Sequence, residues 1–441
     1  MRVLAALIIV SLSLASILAQ DAKPAEPADE VPEVELTEDA QLILEKLDKN
    51  DDGKISESEL PQRGRKLYMR FDTNGDGALS GDELNKAANA AADLKSKVDK
   101  RTKDKVASGM KESYEPDEAS GLYLDAARDY NRLTNGEALY VMKDGKFIYE
   151  GYDNGYDKAE EHQLASGTKS YNGIIAACAV EDELIEWDEL VCNTVTEWKD
   201  DPRLSKITVR MLLSLCAGLP PEQDALQGFQ TQNKYEYAIG LKCKYEPGKK
   251  FEYGPAQYFA WGEFMRRKLA NSEKFKDMNL TDYFMHRIGD AIGIKQTWRT
   301  DRAGNPATPH GVFVTAGEWA KFGEFVRMGG KVGDKQLLKT ELMDECFKPS
   351  PCNAGYGLTW WLAGSDSSDG DTGGGAKDAQ GRSAGETPKW MPSDLVFAAG
   401  KGTQRLFISR KLGLTIVRFA DDKDTFDNNE FMSWLLRGKA N

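Results

Sequence analysis

Ser166 and Lys169 stand three residues apart in the stretch Leu164-Ala165-Ser166-Gly167-Thr168-Lys169-Ser170, directly ahead of a long apolar run. If that run is a helix, residues three apart share a face, and the amine of Lys169 meets the hydroxyl of Ser166. A serine hydroxyl is a weak nucleophile at neutral pH until a neighbour takes its proton. A lysine does so once burial or a nearby cation lowers its pKa. The chemistry implied is acyl transfer through a serine ester. A helix starting at Ser166 would also aim backbone N–H groups and its positive dipole end at developing negative charge.

The second chemistry is metal ligation. Asp48, Asn50, Asp52, Lys54, Ser56 and Glu59 occupy positions 1, 3, 5, 7, 9 and 12 of one loop. Asp72, Asn74, Asp76, Ala78, Ser80 and Glu83 occupy the same positions of a second. A calcium-binding EF-hand loop needs oxygens at these places and a glycine at position 6, here Gly53 and Gly77. Position 7 offers a backbone carbonyl, so Lys54 and Ala78 are acceptable. Ile55 and Leu79 supply the apolar residue that pairs two such loops. The expected cofactor is Ca2+, held by the loops and not used in catalysis. Only the segment Leu60 to Phe71 separates the loops, so one helix begun near Pro61 is expected to serve both. A structural or buffering role is expected rather than that of a sensor.

A chain of 441 residues with 40% apolar content holds two or more domains. Residues 1–19 read as a secretory signal, with Arg2 in a basic start, an apolar run Val3 to Leu18 and a cleavage point at Ala19. The protein is therefore expected to be secreted or periplasmic. Residues 20–37 are rich in Pro, Ala and Glu and read as a disordered acidic linker. An all-α EF-hand pair follows over 38–90, then a basic helical linker over 91–113, then the main domain over 114–441. No later stretch reaches about 18 unbroken apolar residues, so no stable membrane span is expected after signal removal. The net charge of −13 disfavours nucleic acid and anionic membranes as partners. Six cysteines could pair if the protein is exported, Cys346 and Cys352 being near enough in sequence to close a small loop; buried free thiols are the alternative.

Within 114–441, Glu137 to Tyr152 reads as two strands joined by a type I′ turn at Asp144-Gly145. Ser170 to Glu181 reads as a buried helix. Ile207 to Pro220 holds a short helix with a glycine stop. Tyr245 to Pro255 is a turn that leads to an exposed Tyr253. Gly364 to Thr387, rich in Gly, Ser and Asp, reads as a flexible loop. Three strands between Asp394 and Phe419 and a closing helix over 426–436 complete the domain.

Taken in order, these landmarks resemble the β-lactamase-related serine hydrolases. That family includes class C β-lactamases, penicillin-binding DD-peptidases, and esterases and amidases typified by 6-aminohexanoate-dimer hydrolase. ASGTK is similar to its nucleophile motif, ITVRMLLSLCAGLP to a helical segment, PGKKFEY to its tyrosine motif, and YGLTWW with FAAGKGTQRLFI to its carboxy-terminal motifs. The resemblance implies an α+β fold, an antiparallel sheet flanked by helices, behind the EF-hand pair. It implies that Ser166 is acylated, that Lys169 holds or relays its proton, and that Tyr253 acts as base and then as acid toward the leaving group. It implies an oxyanion hole from the N–H groups of Ser166 and of a residue after the Gly400-Lys401-Gly402 turn, Thr403. The substrate would be a small-molecule or peptide ester or amide. Two departures from the family pattern point away from a β-lactam: Pro255 stands where the tyrosine motif has Asn, and Gly-Lys-Gly stands where β-lactam-recognising members have Lys-Thr-Gly.

Other hydrolytic chemistries fit less well. His162, His286 and His310 are the only histidines, none in a Gly-x-Ser-x-Gly elbow and none with HExxH spacing. They read as structural. A second reading is a non-catalytic calcium-binding or interaction protein on the same fold with its chemistry lost. The joint presence of Ser166, Lys169 and Tyr253 weighs against it.

Overall fold

The computed structural model describes residues 35–48, 52–60, 65–227, 231–363, 387–421 and 426–441. The expected signal 1–19, most of the acidic linker, Asn50, the helix start at Pro61 and nearly all of the Gly/Ser/Asp tract lie outside them. The chain divides into two compact units, 1–108 and 109–441.

In the first unit, helix α1 (Glu38–Leu47) starts where Thr37 Oγ1 accepts the Ala40 N–H at 3.3 Å. Strands β1 (Ile55–Ser56) and β2 (Ala78–Leu79) pair antiparallel, Ile55 opposite Leu79, so the two position-8 residues tie the loops together. Between the loops, helix α2 (Arg65–Tyr68) runs on as the 3-10 turn Met69–Phe71. Ile43, Ile55, Leu60, Tyr68, Leu79 and Leu84 form the core. Residues 91–109, read above as a linker, extend the second loop's exit helix α3 (Gly81–Gly109).

The second unit is built on a six-stranded antiparallel sheet. Helix α4 (Leu124–Leu133) leads into β3 (Gly136–Lys143) and β4 (Lys146–Tyr152). Asp144 and Gly145 both have positive φ, 50° and 76°, as a type I′ turn requires. Helices α5 (Lys169–Glu181), α6 (Ala256–Ala270) and α7 (Ala316–Arg327) follow. The chain then returns to the sheet as β5 (Trp361–Leu362), β6 (Val396–Gly400), β7 (Gln404–Ser409) and β8 (Leu414–Ala420), and ends in helix α8 (Asn428–Arg437). The strand order is β5-β6-β7-β8-β3-β4. Every residue of β6, β7 and β8 is buried. Helix α7 covers one face, where Trp319 stacks on Phe419 at 5.8 Å. Helix α8 covers the other, where Phe431 stacks on Phe407 at 5.7 Å.

Helix α5 is apolar almost all round, and Lys169 through Ala179 are buried. A helix of that kind belongs inside a core rather than on a surface. A Cβ on its Gly173 would lie 2.5 Å from Leu358 O, so glycine lets the neighbouring chain approach this closely. Among the described residues, no helix is long and apolar enough to cross a membrane.

Candidate active site

The 3-10 turn Ala165–Thr168 feeds directly into α5, so Ser166 and Lys169 occupy successive turns at a helix start. Lys169 Nζ donates to Ser166 Oγ at 3.0 Å and to Pro309 O at 3.3 Å. Ala165 sits at φ 46°, a left-handed conformation that costs a non-glycine residue about 1 kcal/mol or more. The strain is held by the packing around it. Thr168 Oγ1 accepts the Val312 N–H at 3.1 Å, and Asn172 Nδ2 donates to Thr308 O at 2.9 Å. The segment 308–312 thus clamps the helix start.

Tyr253 is buried, not exposed as its turn suggested. Its ring centroid lies 4.9 Å from Lys169 Nζ and 5.9 Å from the Trp361 ring. Tyr356 packs edge-on against Trp361 at 4.8 Å and shares a 2.8 Å hydrogen bond with Tyr258, whose ring also faces Lys169 at 5.6 Å. Pro255, two residues on, precedes the first turn of α6, where its missing N–H leaves no helical hydrogen bond unmade. Ser166, Lys169, Tyr253 and Pro255 all line one cavity of about 330 Å³.

Thr403 is not brought to this cavity; Lys401 is. The reason is the register of the β6–β7 hairpin, which pairs Gly400 with Gln404 and leaves Lys401-Gly402-Thr403 as a three-residue loop. Thr403 takes the left-handed position at φ 61°. Its carbonyl accepts from Arg418 Nη1 at 2.8 Å, and its hydroxyl donates to Gly402 O at 2.7 Å. Gly400 lies against the Ser166 turn so closely that a Cβ would fall 2.0 Å from Leu164 O. Only glycine fits there, and the next residue, Lys401, reaches the cavity.

Residues that sequence reasoning did not assign to the site also line it, among them Lys234, Arg299, Asp301, Arg302 and His310. No spacing links these positions. The His310 side chain is pushed down to about 3 by burial and by the nearby charges of Lys169, Lys234 and Arg299, so it is neutral at neutral pH. The other histidines lie elsewhere: His162 Nε2 pairs with Glu137 at 3.0 Å, and His286 packs on Phe275. The six cysteines are free thiols. The thiol beside Cys352 is that of Cys216, which hydrogen-bonds to it, and not that of Cys346.

In the second EF-hand loop, Asp72, Asp76 and Glu83 each place a carboxylate oxygen within 4.8 Å of the others. Glu83 Oε1 accepts the N–H groups of Thr73 and Asn74 at 2.8 and 3.1 Å, while Oε2 is buried with no hydrogen-bond partner. A divalent cation satisfies such an orphaned oxygen, so these residues fit calcium. In the first loop Asp48 accepts the Gly53 N–H at 2.9 Å, but Glu59 Oε2 accepts the N–H and hydroxyl of Ser56 at 2.8 and 2.7 Å. The two loops read alike in sequence, yet among the described residues only the second gathers its carboxylates.

A family model for beta-lactamase matches residues 124–437. The chain belongs to the beta-lactamase family. Its amino-terminal unit matches an EF-hand model over residues 41–62 and 69–87. A comparison with curated protein sequences returns no match. Solved structures of the beta-lactamase fold are similar to it. A Bacteroides dorei protein assigned as a beta-lactamase candidate is 16% identical, with TM-score 0.54 over 71% of this chain and 96% of that one. A Bacillus anthracis protein assigned as a 6-aminohexanoate-dimer hydrolase candidate is 21% identical, with TM-score 0.52 over 69% and 78%. The beta-lactamase/D-alanine carboxypeptidase of Pseudomonas syringae is 18% identical, with TM-score 0.50 over 69% and 94%. At these identities the likeness carries the fold.

Proposed function

We propose that this protein is an exported serine hydrolase that cleaves an ester or amide through an acyl-enzyme on Ser166. The observation that supports this most is the 3.0 Å hydrogen bond between Lys169 Nζ and Ser166 Oγ, inside a cavity that Tyr253 also lines. Ser166 Oγ attacks the substrate carbonyl carbon, and its proton passes to the Lys169–Tyr253 pair. The oxyanion is held by the Ser166 N–H, one of the first-turn groups that a helix leaves without a partner, and by the N–H of Lys401 in place of Thr403. The C–O or C–N bond then breaks, Tyr253 returns the proton to the leaving group, and water releases the acid by the same route. Pro255 and the Gly-Lys-Gly turn favour an ester, amide or peptide over a β-lactam. We also propose that the amino-terminal unit binds calcium, with Asp72, Asp76 and Glu83 as its main carboxylates.

Labelling tests the catalytic reading. A fluorophosphonate should add one mass increment to the intact, calcium-loaded protein, and Ser166→Ala should abolish it without loss of fold. A folded protein that resists both a fluorophosphonate and activated esters would leave the non-catalytic reading in its place.

A further inference from the structure

One wall of the cavity carries charge that the chemistry at Ser166 does not use. Lys234, Arg299 and Arg302 line it together with Ser166. They come from two segments pinned to each other: Asp301 Oδ2 accepts the Lys234 N–H at 2.9 Å, and Asn305 Nδ2 donates to both Asn233 and Asp301. The other oxygen of Asp301 accepts the N–H groups of Ala303 and Asn305, each at 2.9 Å. That carboxylate is thus engaged by backbone and amide donors.

Among the described residues, the ammonium of Lys234 and the guanidinium groups of Arg299 and Arg302 make no ion pair and no hydrogen bond. Lys234 is only 7% exposed, and its ammonium rests 5.6 Å from the Phe259 ring. The Arg299 guanidinium lies 4.9 Å from the Phe313 ring, which supports one face of its plane. Burial disfavours the charged ammonium and lowers the pKa of Lys234, against the opposing pull of the Asp301 carboxylate. The setting sharpens the contrast, because the whole chain carries a net charge of −13. Against this surplus of acids, the described lining beside the candidate nucleophile sets Lys234, Arg299 and Arg302 against one carboxylate, Asp301.

We propose that this wall binds an anionic group, a carboxylate or a phosphate-type oxyanion, carried by the ester or amide substrate. The inference rests on the serine hydrolase reading above and names its substrate class. An arginine fork meets two oxygens of such a group at once, and a lysine adds a point charge from deeper in the cavity.

Three p-nitrophenyl acyl esters of equal length, ending in methyl, carboxylate or phosphonate, test it on the full-length protein. One anionic ester should exceed the methyl ester in kcat/KM by at least about tenfold, and which one identifies the group. That preference should fall at least about tenfold in Arg299→Gln and in Lys234→Gln, partly return in Arg299→Lys, and shrink with added salt. Arg299 is exposed, so its variants remain informative should Lys234→Gln fold poorly. Calorimetry on Ser166→Ala protein repeats the comparison without turnover, with the anilides of butyric and succinic acids as probes. Equal handling of charged and uncharged probes, or a preference that survives both substitutions, overturns the proposal. Failure of the hydrolase reading looks different: no ester or fluorophosphonate reacts with Ser166, while the anilide titrations still decide whether the wall takes an anion.

Discussion

Lys169 Nζ donates to Ser166 Oγ across one turn of chain, at 3.0 Å, with the Tyr253 ring 4.9 Å from the same nitrogen. The proposed mechanism makes one proton-handling unit of these three side chains, which line the same cavity. Lys169→Met and Tyr253→Phe should each lower the rate of Ser166 acylation by about 10²–10⁴. Stability should change by less than about 1.5 kcal/mol for Lys169→Met, a swap of similar volume. Stopped-flow acylation and thermal melts check this. Wild-type acylation rates in both variants would remove the pair from the mechanism.

Gly400 is set by contact rather than by turn geometry. With Leu164 O only 2.0 Å from where a Cβ would stand, Gly400→Ala must push β6 away from the Ser166 turn. The expected cost is about 1–3 kcal/mol of stability. Acylation should slow by a further ten- to a hundredfold, on the order expected when a catalytic group is misplaced by an ångström. Denaturant melts and labelling rates separate the two effects.

His310 should make stability depend on pH. Its folded pKa, about 3, lies below the ordinary 6.5. Between those values the unfolded chain binds a proton that the folded chain does not. Stability is therefore complete above about pH 6.5 and declines as pH falls toward 3, with a slope of about 1.4 kcal/mol per unit from this residue. His310→Gln should remove that part of the slope. Urea melts of both proteins between pH 4 and 7 measure it, and parallel curves would refute it.

The two EF-hand loops should respond unequally to the same change. Glu83→Gln removes a carboxylate whose second oxygen is already without a partner, and should weaken terbium binding at the second loop at least about tenfold. Glu59→Gln also weakens the hydrogen bonds from Ser56, so its main effect should be on the melting of the metal-free unit. Terbium luminescence and calorimetry of the full chain distinguish these results.

Local features of the chain were readable because their causes are local. The spacing of Ser166 and Lys169 fixes their contact once α5 forms, and the apolar composition of α5 fixes its burial. Asp144-Gly145 states its turn type directly. Other features depend on partners distant in sequence. Lys234 meets Arg299 and Arg302 only because Asp301 and Asn305 hold their segments together. Lys401 replaces Thr403 at the cavity because of one strand register, which Gly-Lys-Gly-Thr does not encode by itself. Glu59 and Glu83 occupy the same motif position but turn to different donors. Tyr253 looked exposed because the aromatic cluster that covers it, Tyr356 and Trp361, lies about a hundred residues away.

The strand order β5-β6-β7-β8-β3-β4 has a consequence for biogenesis. Strand β3 is made early, yet its partner β8 pairs Val141 with Ile416. Synthesis must continue for more than half the length of the chain before that ladder can form. Closing so long a loop is a slow, entropically opposed step. The nascent β3–β4 hairpin therefore spends that time with an unpaired edge, and the nucleophile turn cannot be shaped until β6 arrives to press Gly400 against it. The sheet of the second unit can therefore close only late in synthesis, whereas the EF-hand unit, whose contacts lie within 1–108, can form before it.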